Sequence, residues 1–235
     1  MRLEVVGLTK NFGEKEVLKD IDFTFESGKI YGLIGRNGVG KTTFFNSLNN
    51  DISIDEGSFY LENEFGKERL STNDIGYVVS TPIVPEFLTA REFLIFFMEI
   101  NKDRIDSDKT IDDYFKMVDI KREDQDKLLK DYSHGMKNKM QILINIINHP
   151  KVILLDEPLT SLDVVVQDEM KKLLKSLKNE HIIIFSTHIL EIAMDLCDEI
   201  IILNNKKLEL VEKKNLNTKK YKDKIISCLK DEKND

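Results

Sequence analysis

One stretch, GRNGVGKTT from Gly35 to Thr43, limits the folds open to this chain more than any other. It meets the phosphate-binding spacing G-x-x-x-x-G-K-[ST] in full, and its context agrees. An apolar run, KIYGLI, leads into it, and a helical TTFFNSL leaves it. The glycines let backbone N–H groups turn toward phosphate oxygens without steric cost. Lys41 then pairs with the β- and γ-phosphates, Thr42 offers its hydroxyl to Mg²⁺, and the new helix aims its positive end at the anion. A strand leading into this loop and a helix leaving it place the motif on an α/β sheet.

The rest of the chain fits such a sheet. The opening third alternates like strands in LEVVGL, IDFTF, KIYGLIG and GSFYLEN, with turn residues between them. From Ala90 to Met140 the character changes. AREFLIFFMEI, TIDDYFKMV and EDQDKLLKDY read as amphipathic helices. Continuous apolar strands return in KVILLDE, HIIIFST and EIIIL, separated by helical stretches at Val164 to Lys178 and Ile189 to Cys197. That pattern indicates a parallel sheet covered on both faces, with the helical middle inserted in it. A helix is expected from Met136 to Ile147, preceded by a turn of Ser133, His134 and Gly135. From Lys206 the sequence becomes rich in Lys, Asn, Asp and Glu, with one short helix expected at Tyr221 to Leu229.

Two further strands deliver chemistry. VILLDEP ends in Asp156, which suits Mg²⁺ coordination, and Glu157, which can polarise an attacking water. An acidic turn after a strand is common, and this motif gains weight only beside the phosphate loop. IIIFSTH ends in His188; a histidine there is by itself more often a structural hydrogen-bonder than a catalyst. Three strands with polar residues at one carboxyl edge strengthen the case, because open α/β sheets bind ligands at that edge. Ser133 and Gly135 also suggest a helix cap and an anion site, yet the segment has no lysine and threonine arranged to bind a phosphate alone.

With these residues the chain resembles the ATP-binding subunits of ATP-binding-cassette (ABC) transporters, single-cassette exporter ATPases in particular, over residues 2 to 210. The resemblance implies a P-loop NTPase core with a mainly parallel sheet, an N-terminal antiparallel β subdomain and an inserted α-helical subdomain at about 86–140. The ATPase domain then spans 1–210, with a charged tail at 211–235. It implies ATP contacts from Phe12, as the aromatic on adenine, and from Gly35, Arg36, Asn37, Gly38, Val39, Gly40, Lys41, Thr42 and Thr43. Ordinary core packing is the other reading of Phe12. It implies Mg²⁺ held by Thr42 and Asp156, with Glu157 as the base and His188 on the γ-phosphate. Ser133, His134, Gly135 and Met136 fall where the family has its signature, which serves the ATP of a second subunit. That explains an anion site without a phosphate cradle of its own: the cradle is supplied by the second subunit. Ser161, Leu162 and Asp163 match the loop that couples the two sites. Two positions depart from the family. Ser80 stands where a metal-side Gln is usual, and His134 replaces the first signature glycine.

The implied activity is ATP hydrolysis that powers a separate transmembrane permease, from the inner face of the cell membrane, in a homodimer or heterodimer of cassettes. Export of a peptide, antibiotic or drug-like solute is the expected task, with import as an alternative. A cassette ATPase of translation or DNA repair is the rival reading, but those relatives usually carry two cassettes or long coiled-coil insertions. A formal net charge of -7 disfavours a sequence-independent grip on nucleic acid. Two cysteines, Cys197 and Cys228, match no zinc or redox spacing and suit a reducing cytoplasm. The N-terminus shows no apolar signal core, and bursts such as FLIFFM are too short to span a bilayer.

Overall fold

The computed structural model describes residues 1–105, 108–160 and 162–211. Ser161 and the segment from 212 onward, including the helix expected at Tyr221 to Leu229, lie outside the described residues. Two sheets organise the chain. The first is antiparallel, built from β1 (Arg2–Phe12), β2 (Lys15–Glu26), β4 (Glu56–Asn63) and β5 (Gly66–Arg69) in the order β2-β1-β4-β5. The second contains β3 (Ile30–Ile34), β6 (Ile75–Val78), β7 (Val152–Asp156), β8 (Ile182–Thr187), β9 (Glu199–Asn204) and β10 (Lys207–Val211). Its order is β10-β9-β3-β8-β7-β6, all parallel except the β9–β10 hairpin.

Every residue of β3, β7 and β8 is buried. Their unbroken apolar runs follow from that, since both faces of the sheet are covered. Alternate residues serve different cores. Val152, Leu154, Ile182 and Ile184 face the antiparallel sheet and Phe44 and Phe45 of α1 (Lys41–Leu48). Ile153, Leu155, Ile183 and Phe185 face the other way. There they meet residues from α2 (Ala90–Ile100), α3 (Ile111–Met117), α5 (His134–Ile146), α6 (Val164–Leu177) and α7 (Leu190–Leu196). The inserted helices α2 to α5 lie between β6 and β7 in the chain, as the sequence pattern suggests.

Several local expectations change. EDQDKLLKDY is not one amphipathic helix. It forms a four-residue α4 (Arg122–Gln125) and a 3-10 turn at Leu129–Asp131. Backbone pairing wins over helical propensity here: Ala90 N–H donates to Lys127 O, and Leu129 N–H donates to Leu88 O at 2.8 Å. Helix α5 begins at His134, so the small-residue turn is its first turn. β5 and β10 have no counterpart in the sequence reading. β5 is exposed throughout and lacks alternation. β10 follows a tight turn in which Asn205 and Lys206 take φ +46° and +67°. That is the primed geometry favoured by two-residue hairpins, and it carries the sheet into the stretch read as charged tail.

β6 packs so closely on α5 that a Cβ at Gly76 would lie 2.5 Å from the Asn145 carbonyl oxygen. Gly76→Ala must therefore push backbone against backbone, and it is expected to cost about 1–3 kcal/mol of stability. Urea denaturation of the two proteins measures the difference.

Candidate active site

β3 ends at Ile34, and the chain turns through residues 35–40 before α1 starts. Gly38 and Gly40 take φ +76° and +119°. No side chain caps the first turn of α1. No oxygen of that kind competes for its leading N–H groups, which with the helix dipole favour an anion. Lys41 opens the helix yet is only 6% exposed. Its Nζ donates to Gly35 O at 2.7 Å and Arg36 O at 3.2 Å, and lies 3.8 Å from Glu157 Oε1. Burial pulls its pKa below the ordinary lysine value, and the charges of Glu157 and Asp156 oppose that pull.

The acids arrive on β7. Asp156, 5% exposed, accepts from Thr42 Oγ1 at 2.7 Å through Oδ2 and from the Ser186 hydroxyl through Oδ1. Glu157 follows with φ +53°, a left-handed backbone uncommon for a residue with a side chain. Its N–H donates to Ser186 Oγ at 3.1 Å. Its carboxylate accepts from Thr160 Oγ1 at 2.9 Å, and His188 Nδ1 sits 3.0 Å from each of its oxygens. Lys41 at the start of α1 and His188 just after β8 thus meet at the carboxylate of Glu157, just after β7.

Lys41, Thr42, Thr43, Ser80, Asp156 and Glu157, with loop residues Asn37, Gly38 and Gly40, line one cleft of about 210 Å³. Arg36, Val39 and again Asn37 and Gly38 line a neighbouring groove of about 270 Å³ with Val17 and Lys206. Phe12 is no core residue. It ends β1 half-exposed, with Lys10 Nζ 4.9 Å from its ring centroid.

Ser133, His134, Gly135 and Met136 do not line the cleft. Ser133 is the N-cap of α5, its hydroxyl oxygen accepting from Met136 N–H at 3.2 Å. His134 is exposed, and Gly135 is buried against α6, where a Cβ would sit 3.2 Å from Val166 Cγ1. Leu162 is buried, and Asp163 caps α6 by accepting from the N–H groups of Val165 and Val166, both at 3.0 Å.

Three contributors escape the sequence reading. Ser186 and Thr160 hold the acids, and buried Gln141 of α5 sets its amide against the backbone N–H and C=O of Val79, next to Ser80. Ser186 left one trace, a polar residue interrupting an apolar strand just before Thr187 and His188. The other two left none.

Residues 18–160, more than half of the chain, match the family described as ABC transporter. The chain belongs to the ABC transporter ATP-binding family. It is 33% identical over 210 residues to the bacitracin transport ATP-binding protein BcrA of Bacillus licheniformis, covering 88% of this chain and 68% of that one. Its fold is similar to an ATP-binding subunit of an ABC transporter, with TM-score 0.79, 22% identity, and 97% and 98% of the two chains covered. It is also similar to a dimeric ATP-binding cassette in a post-hydrolysis state bound to ADP and Pi, with TM-score 0.72, 22% identity, and 88% and 96% covered. The cassette is an ATPase. Among its described residues, no helix is long and apolar enough to cross a membrane.

The depressed pKa of Lys41 has a consequence for stability. Burying the charged form opposes folding at neutral pH, and that cost fades only as pH rises through the lysine range. Glu157 keeps His188 and Thr160 as partners if the ammonium is removed. Lys41→Met is therefore expected to fold as stably as the parent, yet to lose its stabilisation by ATP. At 100 times the parent Kd that stabilisation is about 2.7 kcal/mol. Thermal unfolding with and without nucleotide reads both effects.

Proposed function

We propose that this cassette binds MgATP in the cleft between the glycine loop and Asp156, hydrolyses it with Glu157 as general base, and so drives export of a peptide antibiotic or related solute through a separate permease. One observation carries the catalytic part: the Glu157 carboxylate sits between Lys41 and His188, beside the Thr42–Asp156 pair. Loop residues Gly35 to Thr43 cradle the phosphates, and Lys41 leaves its two carbonyl partners for them. The groove beside Val17, Arg36 and Val39, near half-exposed Phe12, takes the nucleoside end.

The donors fit Mg²⁺. A hydroxyl and a carboxylate face each other, Ser80 lines the same cleft, and all are hard oxygens. Among the described residues no cluster of three or more His, Cys, Asp or Glu forms a protein-only cage. Mg²⁺ is commonly held instead by one or two carboxylates with substrate phosphates. When bound, the ion neutralises charge on the transferred phosphoryl group. Glu157 then takes a proton from the attacking water, and His188 orients the carboxylate through Nδ1.

The signature residues Ser133 to Met136 act on the ATP of a second cassette, and Ser161 to Asp163 link the two sites. Three features support this. The signature stands apart from the chain's own cleft, Ser133 and His134 are exposed, and Val164 and Val165 next to Asp163 are 81% and 67% exposed. Exposed Ile83 and Phe87, between Ser80 and α2, together with exposed Phe96 on α2, offer the permease an apolar contact. The protein would then lie against the inner face of the membrane. The antibiotic substrate rests on the likeness to the bacitracin transport protein.

Glu157→Gln is expected to keep ATP binding and to slow hydrolysis by about 10²–10⁴-fold, the usual loss with a positioned base. Single-turnover hydrolysis and calorimetry separate the two effects, and near-normal turnover moves the base role elsewhere. The trans arrangement has its own test in a homodimer. Mixing Lys41→Ala with Ser133→Arg concentrates both lesions in one composite site and leaves the other intact. ATPase activity should therefore return on mixing. No recovery in a verified mixed dimer overturns the arrangement.

A further inference from the structure

We propose that Ser186 is a positioning residue for ATP hydrolysis, holding both the metal-side carboxylate and the backbone of the catalytic acid. The inference rests on the reading of Asp156 and Glu157 given above. Ser186 is completely buried on β8, directly opposite Asp156 in the parallel ladder with β7. Its hydroxyl donates to Asp156 Oδ1, and the same oxygen accepts from the Glu157 N–H at 3.1 Å. A hydroxyl carries one donor and two acceptor sites, so a single serine can do both.

Each bond has a distinct task. Asp156 has two side-chain donors, Thr42 on Oδ2 and Ser186 on Oδ1. Thr42 is also a proposed Mg²⁺ ligand, and a hydroxyl that turns its oxygen to a cation gives up its old geometry. Ser186 then keeps Asp156 aimed. The second bond satisfies an N–H that would otherwise lose its partner where the chain enters left-handed backbone at Glu157, φ +53°. That turn brings the Glu157 carboxylate to His188 and Lys41. An apolar residue at 186 would suit the surrounding strand equally well, since all six positions of β8 are buried. The hydroxyl therefore serves the acids rather than the core.

The test compares Ser186→Ala and Ser186→Thr with the parent protein. Nucleotide affinity is measured in EDTA and again in Mg²⁺, along with kcat and the thermal midpoint. Ser186→Ala should bind ATP normally in EDTA and lose about 10-fold of the extra affinity that Mg²⁺ confers; its kcat should fall about 10- to 100-fold, as for residues that orient metal ligands. Ser186→Thr, which restores the hydroxyl, should recover both. Unchanged Mg²⁺ enhancement and unchanged kcat in Ser186→Ala overturn the proposal. Equal losses of affinity in EDTA and Mg²⁺, tracking a lower thermal midpoint, also overturn it by reducing Ser186 to a packing role. Glu157→Gln is measured in parallel. Normal turnover there sinks only the base assignment, because the Mg²⁺ enhancement reports on Asp156.

Discussion

Parallel pairing of β3, β8 and β7 sets Ile34 beside Thr187 and Asp156 beside Ser186. Because the strands run the same way and stop at nearly the same level, whatever follows each of them emerges at one edge. A glycine loop, two acids and a histidine, spread along the chain from Gly35 to His188, become neighbours through the main-chain ladder. A slip of one residue between β7 and β8 would turn Asp156 to the opposite face. Burial on both faces prevents such a slip, since it would exchange every side chain between the two cores.

The site itself works against stability. Lys41 is held as a buried charge, and Glu157 occupies strained backbone that typically costs about 1–3 kcal/mol. Full burial of one large apolar side chain contributes about 1.5–3 kcal/mol, so one or two such residues offset that strain. The two cores supply many, including Phe44 and Phe45 on the helix that begins with Lys41. Packing of Phe44 and Phe45 behind the loop also holds the Lys41 ammonium 3.8 Å from the Glu157 carboxylate.

The sequence made the central sheet legible because its strands are buried on both faces and read as unbroken apolar runs. The glycine loop was legible because its spacing is rarely met by chance between a strand and a helix. What stayed hidden depends on partners distant in sequence. The segment around Leu128 pairs with Leu88 to Ala90 instead of continuing a helix. β5 has no buried face to announce it. Gln141 is an ordinary helical glutamine until Val79 is seen opposite it. Ser186 is one polar letter whose importance comes from the strand beside it.

Gly135 carries a consequence of another kind. It lets the first turn of α5 lie against Val166, in the first turn of α6. Ser133 caps the one helix and Asp163 caps the other, so the two loops are fixed to one joined pair of helix ends. Neither turn can shift without disturbing the other. A bulkier residue at 135 makes Val166 give way, and that displacement shifts the capping geometry of both loops together. Changes in the Ser133–Met136 turn and in the Leu162–Asp163 turn should therefore come as a pair.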